Sequence, residues 1–331
     1  MTDIAILTYW GVPNYGGWTQ AYALSAVINR VLGKKARHIA YLEQSHWNNY
    51  YQKDPKAYNC FFYGWDEIPH TGLYTKELLE AEDFDTVITG ADSIWSFEHF
   101  AIEPDLHLMG RGLHARHLYA YAPSCDMLHK EELTDEMITA LAQYDRITVR
   151  DAYSKDLLHQ ADALADRDIS IVVDPALLWD FKKDERVISP VFEGYIAVYG
   201  GKFSDRYIER AIRFAKEKQL MLVGLGYTHK WCDINILRNE LRPFEWLGMF
   251  SGAEYVFTST FHGLMVGLNF EKQIVFDQVE NVKNRSDTLI SSMGIQDGIR
   301  NFNSEIDYQD CCNKLERARQ YSMEQLEAML S

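Results

Sequence analysis

One stretch of the chain combines residue types that can do chemistry with a spacing that aims them at a ligand. It runs Glu254-Tyr-Val-Phe-Thr-Ser-Thr-Phe-His-Gly-Leu-Met-Val-Gly-Leu268. Tyr255 to Phe257 are β-formers in a short apolar run. Thr258, Ser259 and Thr260 can each cap a helix, and Phe261 to Leu268 continue as an apolar helix. His262 then falls in the first turn of that helix, at the C-terminal end of a strand. In open α/β sheets ligands bind at that end. The positive end of the helix dipole favours an anion there and biases an imidazole toward its neutral, basic form. His262 is therefore a candidate acid or base. The other reading of the position is a packed histidine that bonds its own loop.

Three further places put polar residues at the end of an apolar run. Arg146 to Val149 leads into Arg150-Asp151. Arg150 is placed either to reach an anion or to pair with Asp151 or another neighbour. The run Asp85-Thr-Val-Ile-Thr-Gly90 ends in Ala91-Asp-Ser-Ile-Trp-Ser96. Asp92 and Ser93 either point into a cleft or cap the next element. Ile4 to Leu7 leads into a loop rich in Gly, Pro and Asn that ends Asn14-Tyr-Gly-Gly-Trp18. Gly11, Gly16 and Gly17 lack the dinucleotide GxGxxG spacing. Gly16 and Gly17 either let a ligand approach the backbone or let the turn form.

Strand and helix patterns alternate along the whole chain. A helix with Ala21, Leu24, Ile28 and Val31 on its apolar face follows the first loop and stops at Gly33. Strands are expected near 36–42, 85–90, 117–122, 146–149, 171–173, 195–199, 220–225, 255–257 and 273–276. Residues 43–80 are aromatic-rich and irregular, a flap or a helical insertion. The charged, proline-ended stretch Asp180 to Pro190 is the linker candidate. The pattern predicts an α/β fold of two doubly wound domains facing a cleft. The domains are 1–180 and 190–304, with 305–331 a C-terminal helix available to pack back on the first.

Composition bounds the partners. The 331 residues carry a formal net charge of −15, against a nucleic-acid footprint or an anionic membrane surface. No apolar run approaches the ~20 residues of a membrane span. The N-terminal residues lack the basic and long apolar regions of a secretory leader, so a cytoplasmic location is expected. Cys60, Cys125, Cys232, Cys311 and Cys312 form no CxxC pair, which reads as reduced thiols and not as a disulfide framework or zinc site.

Six segments together resemble the polysaccharide pyruvyl transferase family. They are Asn14-Tyr-Gly-Gly-Trp-Thr-Gln-Ala-Tyr-Ala-Leu24, Thr89-Gly-Ala-Asp-Ser-Ile-Trp95, Thr148-Val-Arg-Asp151, Val173-Asp-Pro175, Phe257-Thr-Ser-Thr-Phe-His-Gly263 and Asn284-Arg-Ser286. The resemblance implies two Rossmann-like domains of the B-type glycosyltransferase kind. It implies transfer of a pyruvyl group from phosphoenolpyruvate (PEP) to two hydroxyls of a sugar, giving a cyclic ketal and releasing phosphate. It places Arg150 and His262 in the chemistry, and Arg150, Ser259, Thr260, His262, Gly263 and Arg285 at the PEP. Asn14, Tyr15, Gly16, Gly17, Asp92 and Ser93 are left to line the acceptor side. PEP is a donor substrate, so no cofactor is implied, and the chemistry requires no metal. The acceptor is a carbohydrate or a lipid-linked sugar of surface-polysaccharide synthesis, and a lipid-linked one would bring the protein to the membrane surface.

Many members read Arg-Leu-His-Gly where this chain has Thr260-Phe-His-Gly, so one anion contact is missing; Lys272, Lys283 or Arg285 are candidates to replace it. Two rival functions share the fold. One is a nucleotide-sugar glycosyltransferase, for which no carboxylate pair suited to a ribose follows the central helix. The other is a non-catalytic carbohydrate- or anion-binding member, which Thr260 motivates.

Overall fold

The structure, a computed structural model, describes residues 3–41, 48, 51–96 and 105–331. The expected flap at 43–80 lies partly outside these residues. Its described part holds the helix Pro55–Trp65, the strand His70–Tyr74 and the helix Lys76–Ala81. The chain forms two compact units. Unit 1 is Met1–Pro55, Trp65–Trp179 and Ala318–Ser331; unit 2 is Lys56–Gly64 and Asp180–Arg317.

Unit 1 is built on seven strands: β1 (Asp3–Leu7), β2 (Lys35–Tyr41), β3 (His70–Tyr74), β4 (Asp83–Thr89), β5 (His114–Ala120), β6 (Arg146–Val149) and β7 (Ile169–Ile171). They pair in the order β3-β2-β1-β4-β5-β6-β7, all parallel. A parallel sheet with both faces covered needs continuous apolar strands, which is what Ile4 to Leu7 and Val87 to Ile88 supply. Successive side chains of β1 enter different cores. Ile4 and Ile6 pack with Leu24 of the first helix, with Val27 and Ile28 of the π-helical turn that continues it, and with Leu326 and Met329 of the last helix. Ala5 and Leu7 pack with Tyr41, Val87, Leu141 and Leu157 on the other face. The strand order reverses between β1 and β4, so the turns leaving these two strands flank the crevice where such sheets place ligands.

Unit 2 repeats the plan with five strands: β8 (Tyr195–Tyr199), β9 (Met221–Leu225), β10 (Ile234–Ile236), β11 (Tyr255–Thr258) and β12 (Gln273–Phe276). Their order is β10-β9-β8-β11-β12, again all parallel. Here the reversal falls between β8 and β11. The stretch expected to be a linker is packed against this unit. Phe181 is fully buried, with its N–H on Asn269 Oδ1 at 3.1 Å, and Asp184 pairs with Arg186. Of the charges that make 180–190 look like a linker, Lys183 pairs with Asp180, Arg186 with Asp184 and Lys182 with Glu271. The last helix, Tyr308–Met329, begins in unit 2 and belongs to unit 1 from Ala318 onward.

In unit 1, the buried His107 bridges the buried Asp105 and the exposed Glu80. His107 Nδ1 lies 2.6 Å from Asp105 Oδ1 and His107 Nε2 lies 2.8 Å from Glu80 Oε1, while the Tyr41 hydroxyl donates to Asp105. Hydrogen bonding to Asp105, helped by Glu80 and opposed by burial, holds the His107 pKa above 6.5. A histidine raised in the folded state stabilises it fully below the unfolded pKa, and the contribution fades as pH rises through the folded value. We expect His107→Gln to lose about 1.5–3 kcal/mol near pH 6, the range for a charge-assisted hydrogen bond. The melting-temperature gap to wild type should narrow steadily toward pH 9. A gap independent of pH would mean that the ring contributes by packing alone.

Candidate functional site

The expected residues collect into two groups, one in each unit. In unit 1 they lie on the turns that leave β1, β4 and β6. Asn14 caps the helix Tyr15–Ala26: its Oδ1 accepts the N–H of Gly16 at 2.9 Å and of Gly17 at 3.2 Å. Asn14 itself is exposed, whereas Tyr15 is buried at the start of the helix. A Cβ on Gly17 would lie 3.7 Å from Asp92 Oδ2, so the β1 and β4 turns meet here. Asp92 has φ 73°, and its Oδ1 accepts the N–H of Ser93 at 2.8 Å. An aspartate tolerates this left-handed conformation because its short side chain bonds locally.

Arg150 completes the group, in a way its sequence neighbours do not suggest. Its guanidinium has no solvent exposure. Nη1 donates to Asp174 Oδ2 at 2.7 Å, and Nη2 to Ser93 Oγ at 2.9 Å and Asp92 Oδ1 at 3.4 Å. Burial lowers the arginine pKa, but the charges of Asp174 and Asp92 outweigh it and hold the pKa above the usual value. Asp151, the adjacent carboxylate, caps its own helix through the Ser154 N–H at 2.7 Å. One guanidinium facing two carboxylates leaves this cluster with a formal charge of −1. Its fork is turned onto carboxylates of its own unit, the neighbour pairing that the sequence left open beside an anion contact.

In unit 2 the group lies where the strand order reverses. Thr258 Oγ1 donates to Tyr199 O at 2.6 Å, tying the end of β11 to the end of β8, and the Thr260 N–H donates to Thr258 Oγ1 at 3.1 Å. Of the three possible caps, Thr260 is the one used: its Oγ1 accepts the Gly263 N–H at 3.0 Å. His262 is the second residue of the helix Phe261–Asn269 and is half-buried. Two glycines let this turn close. A Cβ on Gly200, after β8, would lie 2.2 Å from Ser259 Oγ, and a Cβ on Gly263 would lie 2.1 Å from Thr258 Oγ1. We expect Gly263→Ala to destabilise unit 2 by about 3 kcal/mol, the upper range for overpacking. Calorimetric melting would show a shift of about 2–4 °C per kcal/mol; an unshifted melt would mean that the turn yields to a methyl group.

The candidate replacements for the missing arginine are placed unequally. Arg285 is in the first turn of the helix Lys283–Met293, half-buried, with Lys283 exposed beside it. Lys272 is at the wrong end of β12. The register pairs Thr258 with Phe276 and Tyr255 with Gln273. Lys272 thus sits four residues back from the level of the turn, about 13 Å at 3.3 Å per residue.

Sequence reasoning missed three residues of the unit 1 group. Asp174 reads as the cap of a Pro-initiated helix, and its Oδ1 does accept the Ala176 N–H at 3.0 Å while Oδ2 takes Arg150. Thr8 and Gln20, both buried, bond to the β4 turn. Gln20, the one amide side chain in the helix Tyr15–Ala26, was the available signal.

No group of three or more His, Cys, Asp or Glu side chains among the described residues could hold a metal ion. No described helix is long and apolar enough to cross a membrane.

None of the curated proteins compared is significantly similar to this sequence. Among solved structures, a protein from Listeria monocytogenes assigned as a UDP-N-acetylglucosamine 2-epimerase covers 99% of this chain and 89% of its own, at 9% identity and a TM-score of 0.50. The UDP-GlcNAc 2-epimerase of Methanocaldococcus jannaschii, in complex with UDP-GlcNAc and UDP, covers 97% and 100% at 13% identity and a TM-score of 0.48. A heptosyltransferase of E. coli with ADP covers 83% and 86% at 11% identity and a TM-score of 0.39. At such identities the likeness concerns the fold alone, an α/β fold with two parallel sheets flanked by helices. The family model for polysaccharide pyruvyl transferases matches residues 14–276, most of the chain and both groups of turn residues. This chain belongs to the polysaccharide pyruvyl transferase family.

Proposed function

We propose that this protein carries out its family's reaction with the two substrates divided between its units. The pyruvyl group of PEP is transferred to two hydroxyls of a sugar in a surface polysaccharide or its lipid-linked precursor. One sugar hydroxyl adds to the enol carbon as the methylene carbon takes a proton. The second then displaces phosphate and closes the ketal. One hydroxyl proton balances the new methyl group and the other leaves with phosphate.

The observation that divides the substrates is the charge of the unit 1 cluster. A trianionic donor is disfavoured beside a group that is already negative. Sugar hydroxyls suit it, since ionised Asp92 accepts hydrogen bonds and the exposed Asn14 amide donates them. Acceptor binding therefore goes to Asn14, Tyr15, Gly16, Gly17, Asp92 and Ser93. The donor goes to unit 2, on the Ser259, Thr260, His262 and Gly263 turn at a helix N-terminus, with Arg285 as the supporting cation. His262 delivers the proton to the methylene carbon, and Arg150 holds Asp92 and Ser93 in place. In this reading the two units are the Rossmann-like domains of a B-type glycosyltransferase fold, since both sheets have the doubly wound strand order. The reaction is placed in the cytoplasm, at the membrane surface when the acceptor is lipid-linked.

Calorimetric titration with PEP, alongside a panel of nucleotide sugars, tests the reading, with phosphate release then followed over sugar acceptors. Saturable PEP binding and acceptor-dependent release are expected. Binding of a nucleotide sugar, with no heat from millimolar PEP with or without acceptor sugars, would overturn it.

A further inference from the structure

We infer that Gln20 and Thr8 are positioning residues for the Asp92 carboxylate, joined with Ala91 in a closed ring of hydrogen bonds. Gln20 Nε2 donates to Thr8 Oγ1 at 3.2 Å, Thr8 Oγ1 donates to Ala91 O at 3.1 Å, and the Ala91 N–H donates to Gln20 Oε1 at 3.1 Å. Gln20 Nε2 also donates to Gly17 O at 2.9 Å. Both hydrogens of the amide and its oxygen are thus used, as is the single hydrogen of the threonine hydroxyl. Gln20, Thr8 and Ala91 are at most 1% exposed.

The ring links three elements at the switch point of the sheet: the turn after β1, the first helix and the turn after β4. It fixes both backbone polar groups of Ala91, and Asp92 is the next residue, held at φ 73°. The ring sets the direction in which the carboxylate leaves the backbone, while Arg150 sets where it ends. The same amide holds the carbonyl of Gly17, the residue whose Cβ position faces Asp92 Oδ2. A leucine would fill the volume of Gln20 but would leave the Ala91 N–H and the Thr8 oxygen without these partners. Buried polar networks of this kind fix one geometry when every member is satisfied.

The inference rests on the reading that Asp92 faces the acceptor, and its test separates the two. Thr8→Val and Gln20→Leu break the ring at different points, and Thr8→Ser keeps it. With the full chain, PEP and a working acceptor sugar, each broken ring should lower kcat/KM for the acceptor by about 10²-fold, the cost of a misplacement of about 1 Å. The PEP dissociation constant should stay within about twofold, and Thr8→Ser should match wild type. The double variant should be no worse than the worse single one, because both break one ring. Carboxyl-carbon NMR of Asp92 supplies a readout that needs no turnover. If wild type releases no phosphate from PEP, the proposed reaction fails. The inference then stands if the Asp92 titration moves in Thr8→Val but not in Thr8→Ser. Acceptor kinetics within about twofold of wild type in Thr8→Val and Gln20→Leu, or an unmoved Asp92 signal in both, would overturn it.

Discussion

Replacing Arg150 by alanine is expected to cost about 3–5 kcal/mol of folding stability, the penalty for breaking a buried ion pair from one side. The size follows from what stays behind. Asp174 and Asp92 would both remain at the end of the sheet with no guanidinium between them. Against a typical total of about 5–15 kcal/mol, that loss is between about a fifth of the stability and all of it. The loss has a pH signature. An unpaired buried carboxylate has its folded pKa raised above the unfolded value, so the folded state gains protons first as pH falls. The variant should recover part of its deficit between pH 7 and pH 5, measured as the difference in urea midpoints from wild type. Adding Asp174→Asn to Arg150→Met removes both charges of the closest pair and should restore most of the stability without restoring turnover.

Arg150→Lys separates the two roles open to this residue. A lysine keeps the charge but cannot span Asp174 Oδ2 and Ser93 Oγ as a planar fork does. If Arg150 gripped PEP directly, the exchange would weaken PEP binding by about 1.5–3 kcal/mol, the range for a charged hydrogen bond. Because the guanidinium is turned onto Asp174, Asp92 and Ser93, we expect PEP affinity within about twofold of wild type and the loss to fall on the acceptor. A tenfold loss of PEP affinity in well-folded Arg150→Lys would return Arg150 to the donor.

What could be read from the sequence was what is decided locally. The apolar runs at Ile4, Val87, Tyr195 and Tyr255 each mark a parallel strand, because a strand covered on both faces needs apolar side chains in both directions. A cap among Thr258, Ser259 and Thr260 and the place of His262 in the first turn of a helix follow from neighbouring residues alone. The partners of Arg150 do not follow in this way. They lie 24 and 58 positions away and are brought to it by strand order, while adjacent Asp151 is drawn off by its own helix. Gln20 is concealed for the same reason, since its backbone donor at Ala91 is 71 positions away. Lys272 fails as a replacement cation because register, which sequence does not give, puts it at the far end of β12.

His262→Ala is expected to lower the rate of phosphate release from PEP by about 10²–10⁴-fold, the usual contribution of a positioned acid or base. The fold should barely notice. The helix Phe261–Asn269 is capped by Thr260 Oγ1, which accepts the Gly263 N–H, so neither partner is the imidazole. With the cap intact, the change is expected at the low end of ordinary point substitutions, about 0.5 kcal/mol. Melting temperature and PEP affinity should therefore stay close to wild type while kcat falls, which is the signature of an interaction made in the transition state. The same turn explains why the neighbouring glycine cannot serve as a control: Gly263→Ala drives a methyl into Thr258 Oγ1 and disturbs the strand end as well as the site. Thr260→Ser keeps the hydroxyl that accepts the Gly263 N–H and so keeps the cap. If His262→Ala keeps wild-type turnover, the proton comes from another group. If wild type shows PEP binding and no phosphate release with any sugar, Thr260 in place of the family's arginine marks a binding protein built on an enzyme's fold.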